Sequence, residues 1–341
     1  MNRPLELAPS ATGAPPAWDE DSLKQRSTSG WRIIARKELA DHVRSLRFVL
    51  LVSIVGLAGL AAVHSASGAI RDAAGSTAGG PSVFLYLFTV APDRIPAFHE
   101  FLGFLGPLLG IAFGFDAVNS ERSARTLSRL VAQPVHRDEV INGKFVAGIG
   151  AIALAVVTVV MIVCGYGIVR LGLVPTGSDV VRILAFVVVL VAYISLWLAF
   201  AILCSVLARR AATAALATIA AWLLFTFFAG LISGAIADAV HPVKDTNDVA
   251  AVLANARLDQ QIHRISPEEL YQETTQVLLD PASRSTASVI ESSRLDQAIP
   301  SELALGDSLG LAAWQLLVMI GVGVALFVAD YLVFIRQEVR A

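Results

Sequence analysis

The sequence has few charged residues for its length. Asp, Glu, Lys and Arg make up 16% of its 341 residues, whereas hydrophobic residues make up 55% and the mean hydropathy is +0.67. This scarcity of charge excludes a soluble globular domain of ordinary size. The formal net charge of -2 indicates no nucleic-acid partner. The composition therefore predicts an integral membrane protein.

Cysteine, histidine and methionine are also scarce. The two cysteines, Cys164 and Cys204, lie inside apolar runs and exclude a disulfide framework. The six His and three Met residues are scattered along the chain and form no cluster of soft metal ligands. We therefore predict that the chain itself holds no metal and no cofactor.

Six apolar runs are long enough to cross a bilayer, whose ~30 Å hydrocarbon core needs roughly 20 apolar residues in a helix. Unpaired backbone groups are costly in lipid, so we expect an all-α polytopic protein with six transmembrane helices. A disordered cytosolic tail is expected over residues 1–29, the transmembrane domain over 30–336, and a cytosolic C-terminus over 337–341. The expected spans are residues 46–66, 98–118, 145–169, 183–207, 212–236 and 311–335.

The basic residues that flank these runs are unevenly distributed. With the N-terminus in the cytosol, most of the 26 Lys and Arg residues fall on the cytosolic side. Short loops rich in Lys and Arg remain in the cytosol. We therefore expect both termini to be cytosolic and residues 237–310 to form an extracytoplasmic loop.

An amphipathic segment precedes the first span. Trp31, Ile34, Leu39 and Val43 recur at helical spacing, and charged residues occupy the other face. This pattern predicts an interfacial helix that lies along the inner membrane surface with its apolar side in the lipid.

A polar insert, residues 121–145, separates the second and third spans. Leu127 lies with other apolar residues on one face of a helical stripe, Arg125 and Arg129 lie on the opposite face, and Pro134 ends the helix. From periodicity alone, the insert is either a short helix that rests on the membrane and exposes its charged residues to the cytosol or a solvated basic loop that only enforces orientation.

The insert resembles the cytosolic signature of the type-2 ATP-binding-cassette (ABC) permeases, which reads E-R-x-x-G-T-L, Q-P-V-x-R-x-E and G-K-F in this order. Arg125 departs from that pattern, since it stands at the usual glycine. Residues 264–280, RISPEELYQETTQVLLD, resemble the nitrous-oxide-reductase accessory permease branch of this family. The resemblance implies that the insert is a coupling helix that docks on a separate ATPase. The interface residues that it implies are Glu121, Arg122, Arg125, Thr126, Leu127, Arg129, Gln133, Pro134, Arg137, Glu139 and Lys144.

The same resemblance implies a permease subunit that forms a homodimer or heterodimer in a prokaryotic plasma membrane and works as an exporter. The chain is not expected to be an enzyme, because its Gly143-Lys144 pair is followed by Phe145 and lacks the pattern of a phosphate-binding loop. ATP and Mg²⁺ would bind in the partner ATPase. The alternative is a non-transporting membrane scaffold or sensor that signals to a cytosolic ATPase.

Two acidic residues lie within the apolar runs, Asp116 near the inner end of the second and Asp330 near the inner end of the sixth. Ionisable residues in a membrane are functional candidates. We expect each either to form an ion pair with a nearby basic residue or to take part in gating or cation handling.

The loop between the fifth and sixth spans has helical order of its own. Ser266, Pro267 and Glu269 predict a capping box at the start of a helix, and Pro281 predicts its end. We expect a small helical cap, which is either a lid over the pathway or a docking face for an extracytoplasmic partner.

Overall fold

The computed structural model describes residues 30–75, 83–91, 95–120, 137–245, 248–280 and 304–336. Helices dominate these residues and no strand occurs among them, so the prediction of an all-α protein is confirmed. The α-helices are α1 (Gly30–Arg44), α2 (Leu46–Gly75), α3 (Tyr86–Thr89), α4 (Phe98–Gly114), α5 (Arg137–Tyr166), α6 (Gly177–Leu207), α7 (Ala211–Leu223), α8 (Ala229–Val240), α9 (Val249–His263), α10 (Pro267–Leu279) and α11 (Leu305–Arg336).

Five helical stretches in the described part of the chain are long and apolar enough to cross a membrane. They are Leu46–Asp72, Asp138–Leu171, Gly177–Leu207, Ala211–Val240 and Gly306–Arg336. The expected second span is shorter than the sequence predicts, because α4 has 17 residues and a turn over residues 115–118 follows it.

Helix α4 packs unusually close to α6. A Cβ added at Gly110 would lie 2.5 Å from the carbonyl oxygen of Ile194, and one added at Gly114 would lie 2.6 Å from Cβ of Ala201. Glycines one helical turn apart therefore allow the two backbones to touch, as is common between membrane helices.

Helix α6 lies at the centre of the bundle. It packs mainly on α11, α4, α5 and α10, and its Leu190, Tyr193, Ile194 and Trp197 side chains are buried. By contrast, α7, α8 and α11 expose many large apolar side chains, among them Leu216, Leu231 and Leu317, as expected for helices that face lipid or a second subunit.

Helices α9 and α10 form a hairpin that folds back into the bundle. Helix α9 packs along α8, and α10 packs on α11, α6 and α4 with most of its side chains buried. The segment thus packs directly on α11, α6 and α4. Its expected role as a lid or as a docking face stays a prediction.

The hairpin turn contacts the middle of the long helical stretch Ala211–Val240. Between α7 and α8 lies a π-helical segment, Leu224–Phe228, a geometry that displaces the normal backbone hydrogen bonds. Ser266 does not cap α10 through its side chain; its hydroxyl instead donates to the carbonyl of Phe225 at 3.4 Å. The predicted capping box is therefore wrong, because the π segment offers an acceptor to the same hydroxyl.

Candidate functional site at the two roots of the polar insert

Most of the predicted ATPase interface lies outside the described residues. This applies to Glu121, Arg122, Arg125, Thr126, Leu127, Arg129, Gln133 and Pro134. The structure describes the two ends of the chain that flank the insert, which are here called its roots. The first root is the end of α4 and the residues that follow it, up to residue 120. The second root is the start of α5 at Arg137. Glu139 and Lys144 lie in the second root.

Glu139 and Lys144 both bind α1. The backbone N–H of Gly30 donates to Oε1 of Glu139 at 2.8 Å, at the first residue of α1. Nζ of Lys144 lies 3.3 Å from Oε1 of Glu38, and only 7% of the Lys144 side chain is exposed. These two residues therefore fasten α1 to the second root.

Close backbone packing supports the same contact. A Cβ added at Gly143 would lie 2.7 Å from Cγ2 of Ile34 and 3.0 Å from the carbonyl oxygen of Trp31. Further along α5, Leu39 lies against Gly150. Part of the apolar face of α1 thus packs on protein, although the sequence pattern assigned that face to lipid.

The first root is fixed by Ser205 of α6. Its hydroxyl oxygen accepts from the backbone N–H groups of Val118 at 3.1 Å and Asn119 at 3.3 Å. Both N–H groups lie beyond the last residue of α4, at the end of the turn that follows it, and the Ser205 hydroxyl gives them an acceptor. The last residues before the insert are thereby held against α6.

Asp116 in the same root forms an ion pair with α2. Nη1 of Arg47 lies 2.6 Å from Oδ2 of Asp116, and the Arg47 guanidinium lies 5.3 Å from the centre of the Phe115 ring. Asp116 therefore forms an ion pair, but its partner lies on another helix and not within a turn of it along the chain.

Helix α1 also contacts the first root. The His42 ring lies 5.0 Å from the Phe113 ring near the end of α4. Burial lowers the pKa of His42, which favours the neutral imidazole. Because α1 touches both roots, a displacement of the insert would act on α1, α4 and α5 together.

Asp330 has a different environment from Asp116. It is fully buried in α11, and neither of its carboxylate oxygens has a hydrogen-bond partner in the part of the chain that the structure describes. A buried polar group without a partner is costly, so it is a sign of a functional constraint. A role for Asp330 in gating or cation handling stays a prediction.

A buried polar network that the sequence analysis missed centres on Glu273 of α10. Nε of Arg264 donates to both its oxygens, at 2.9 and 3.0 Å, and Gln260 donates to Oε1 at 2.8 Å. Gln315 of α11 donates to Oε2 at 3.2 Å. The sequence carried a signal, because Glu273 lies at i+3 from Leu270 and i-4 from Val277 on the apolar face of α10.

The buried contacts of Arg182 in α6 were also not predicted, because the sequence analysis used basic residues only to assign the orientation of the loops. It is 3% exposed, and its Nη1 donates to the carbonyl of Leu278 at 3.0 Å and to the hydroxyl of Ser308 at 3.1 Å. It therefore joins the end of α10 to the start of α11.

Comparison with known proteins agrees with this architecture. A family model described as "ABC-2 family transporter protein" matches residues 32–339, which is most of the chain. The chain belongs to the ABC-2 transporter family.

Two curated relatives are similar over shorter stretches. A "Probable ABC transporter permease protein NosY" of Stutzerimonas stutzeri is 33% identical over 129 residues, covering 36% of this chain and 40% of the relative. A protein of the same description from Pseudomonas aeruginosa is 31% identical over 138 residues, covering 37% of this chain and 46% of the relative. The matches thus span less than half the length of each relative.

Proposed function

We propose that this ABC-2 family member is the permease subunit of an ABC exporter, driven by an ATPase on a separate polypeptide. The proposal rests on the hydrogen bonds and the ion pair that hold both roots of the insert to neighbouring helices. Ser205 holds the end of α4, whereas Glu139 and Lys144 hold the start of α5 to α1. A force applied to the insert would therefore reach several membrane helices as rigid bodies.

The topology of the proposal has six spans with both termini in the cytosol of a prokaryotic cell. Helix α4, which is the second span in chain order, is added to the five long helical stretches. It runs from Phe98, which lies against Gly59 in the middle of α2, to a turn whose Asp116 pairs with Arg47 near the start of α2. Its 17 residues rise about 26 Å, close to the thickness of a bilayer core.

Within this proposal the signature residues have two roles. Arg122, Arg125 and Arg129 bind the ATPase, together with the other signature residues between 121 and 137. Glu139 and Lys144 also fasten α1 to the second root, so they connect the insert to the helix before the first span. The working unit is a dimer of permease chains with ATPase subunits that bind ATP and Mg²⁺.

Affinity purification of the tagged full-length chain from its native host tests the proposal. We expect an ABC ATPase to co-purify, identified by mass spectrometry and by vanadate-sensitive ATP hydrolysis. Alanine at Arg122, Arg125 and Arg129 together should remove most of it. Alanine at Arg209 and Arg210, an exposed basic pair between α6 and α7, is the matched control and should retain it. Equal retention by both variants would refute the docking role.

Two further measurements test orientation and transport. A cysteine at Ser128 should react with a membrane-impermeant maleimide only after the cells are permeabilised. Labelling in intact cells would place the insert outside and contradict the proposal. ATP-driven flux in vesicles would distinguish an exporter from a scaffold that only regulates the ATPase.

A further inference from the structure

Asp330 differs from the other acidic side chains of the described residues. It alone among them has both carboxyl oxygens buried without a hydrogen-bond partner, and its side chain is fully enclosed. Asp116, the other acid within an apolar run, pairs with Arg47 on a neighbouring helix. The bundle therefore contains one acid whose charge no described group compensates.

Two of the helices that pack on α11 place no cation beside Asp330. Helix α6 offers the thiol of Cys204, which lies within electrostatic reach of Asp330 and within hydrogen-bond reach of the Thr218 hydroxyl. The charged group that α10 directs at α11 is Glu273, and it contacts Gln315, roughly 22 Å before Asp330 along the helix axis. A thiol is only weakly polar, so it does not compensate a negative charge.

The third neighbour, α5, supplies no partner either, since its Glu139 and Lys144 bind α1. The basic residues at this end of the bundle are exposed and make no hydrogen bond with Asp330: Arg209, Arg210 and Arg336. An isolated carboxylate in an apolar interior is so costly that the group takes up a proton instead. The surroundings of Asp330 therefore favour the neutral acid.

Asp330 lies one helical turn from a contact between α11 and the second root of the insert. The ring of Phe327 stacks on that of Phe145, with 4.4 Å between their centres. Phe145 directly follows Lys144 in the second root. Asp330 is also only about 9 Å along the helix axis from the exposed Arg336 at the end of α11. A displacement of the second root would therefore move α11 at the depth of Asp330, a short distance from water.

We propose that Asp330 is a proton-binding site, whose carboxyl group is neutral in the packed conformation and releases its proton when the second root shifts α11 against α6. In the release step the O–H bond breaks, its electron pair remains on the carboxylate, and the proton passes to water at the end of α11. The release step rests on the proposed transport function, whereas the bound proton does not. The site links one proton to each movement of the insert.

Infrared spectroscopy of the full-length chain in lipid nanodiscs tests the bound proton. A protonated carboxyl group has a C=O stretch that is well separated from the carboxylate and amide bands. At pH 7.5 we expect such a band, which shifts when aspartate is labelled with ¹³C and is absent from Asp330→Asn. Asp116→Asn is the matched control and should leave the band unchanged, because Arg47 keeps Asp116 ionised.

Three results would overturn the proton assignment. These are the absence of a band that depends on Asp330, an equal loss of the band in Asp116→Asn, or its loss on addition of Na⁺ or Ca²⁺ at constant pH, which would make Asp330 a ligand of a metal cation. If Asp330→Asn fails to fold, the unaltered chain decides instead. Dicyclohexylcarbodiimide reacts with neutral carboxyl groups in apolar surroundings, so mass spectrometry should find it on Asp330 and not on Asp116. Equal labelling of the two, or none on Asp330, would contradict the assignment.

The complex with the co-purified ATPase tests the release step. Trapping the ATPase with Mg-ATP and vanadate should reduce the Asp330 band at least fivefold, and an unchanged band would refute the release. The Asp330 band without any ATPase partner would refute the exporter and leave a proton-binding membrane protein. An ATPase partner without the band would refute the proton site alone.

Discussion

Lys144 at the start of α5 and Glu38 of α1 form an ion pair, with 3.3 Å between Nζ and Oε1 and 7% of the lysine side chain exposed. The pair joins a residue of the family signature to the helix that precedes the first span. Helix α1 is therefore one of the helices that hold the insert in place.

Replacing Lys144 with methionine should loosen α1. Removing one partner of a largely buried pair leaves the other uncompensated, at a cost of about 3 kcal/mol. Hydrogen exchange should show faster opening of α1, and the exchange should partly recover when Glu38→Gln is added. Lys37→Met is the control, since Lys37 is 71% exposed beside the same Glu38 and should cost under about 1 kcal/mol.

Glycine at position 143 is needed for the approach of α1 to α5. Gly143→Ala should destabilise the protein by about 1–3 kcal/mol, because the new Cβ would clash with Ile34 and with the backbone of Trp31. Gly165→Ala, on the same helix with nothing within 4 Å of the added Cβ, should be neutral or slightly stabilising. Thermal unfolding in detergent measures both, and equal effects would contradict the proposed packing.

The network around Glu273 should hold the hairpin to α11. Glu273→Leu removes the acceptor of Arg264, Gln260 and Gln315, and should cost about 3 kcal/mol or more. We expect faster hydrogen exchange across α9 and α10, with α2 unaffected. Unchanged exchange in the hairpin would show that apolar packing alone holds it.

Replacing Asp330 and Asp116 by asparagine should change the unfolding temperature in opposite directions. Asp330→Asn should raise the unfolding temperature by a few degrees, because the amide carries no charge, whereas a buried carboxylate without a partner is costly. Asp116→Asn should lower it slightly, because the ion pair with Arg47 is lost. If Asp330→Asn gains stability but loses ATP-driven flux, the acid has the functional role that the sequence suggested.

Stability should depend on pH through Glu268. Burial raises its pKa above the ordinary value, although a hydrogen bond with Thr226 opposes the shift. A raised carboxyl pKa contributes stability that is present at low pH and is lost as the pH rises through the folded-state value. Glu268→Gln should therefore be more stable than the parent at pH 7.5, and this advantage should vanish near pH 4. An advantage that persists in acid would contradict this cause.

The expectations from sequence succeeded where a local pattern decides the structure. Long apolar runs in lipid can only be helical, and five of the six expected spans are long apolar helices in the described part of the chain. The expected length of the second span was wrong, because Gly114 ends α4 where it meets α6 and Ser205 captures the next backbone donors. That contact joins residues 86 or more positions apart, and no local pattern contains it.

The sequence by itself determined the helical membrane class and marked the insert and its charged residues through their periodicity. Tertiary structure decided the partners of those residues. It directed Glu139 and Lys144 to α1, paired Asp116 with Arg47, and left Asp330 without a hydrogen-bond partner among the described residues. It also folded the α9–α10 hairpin into the bundle around Glu273. The physical reason is that helix formation depends on near neighbours in the chain, whereas a buried polar group is stabilised by whichever distant helix supplies its hydrogen-bond partner.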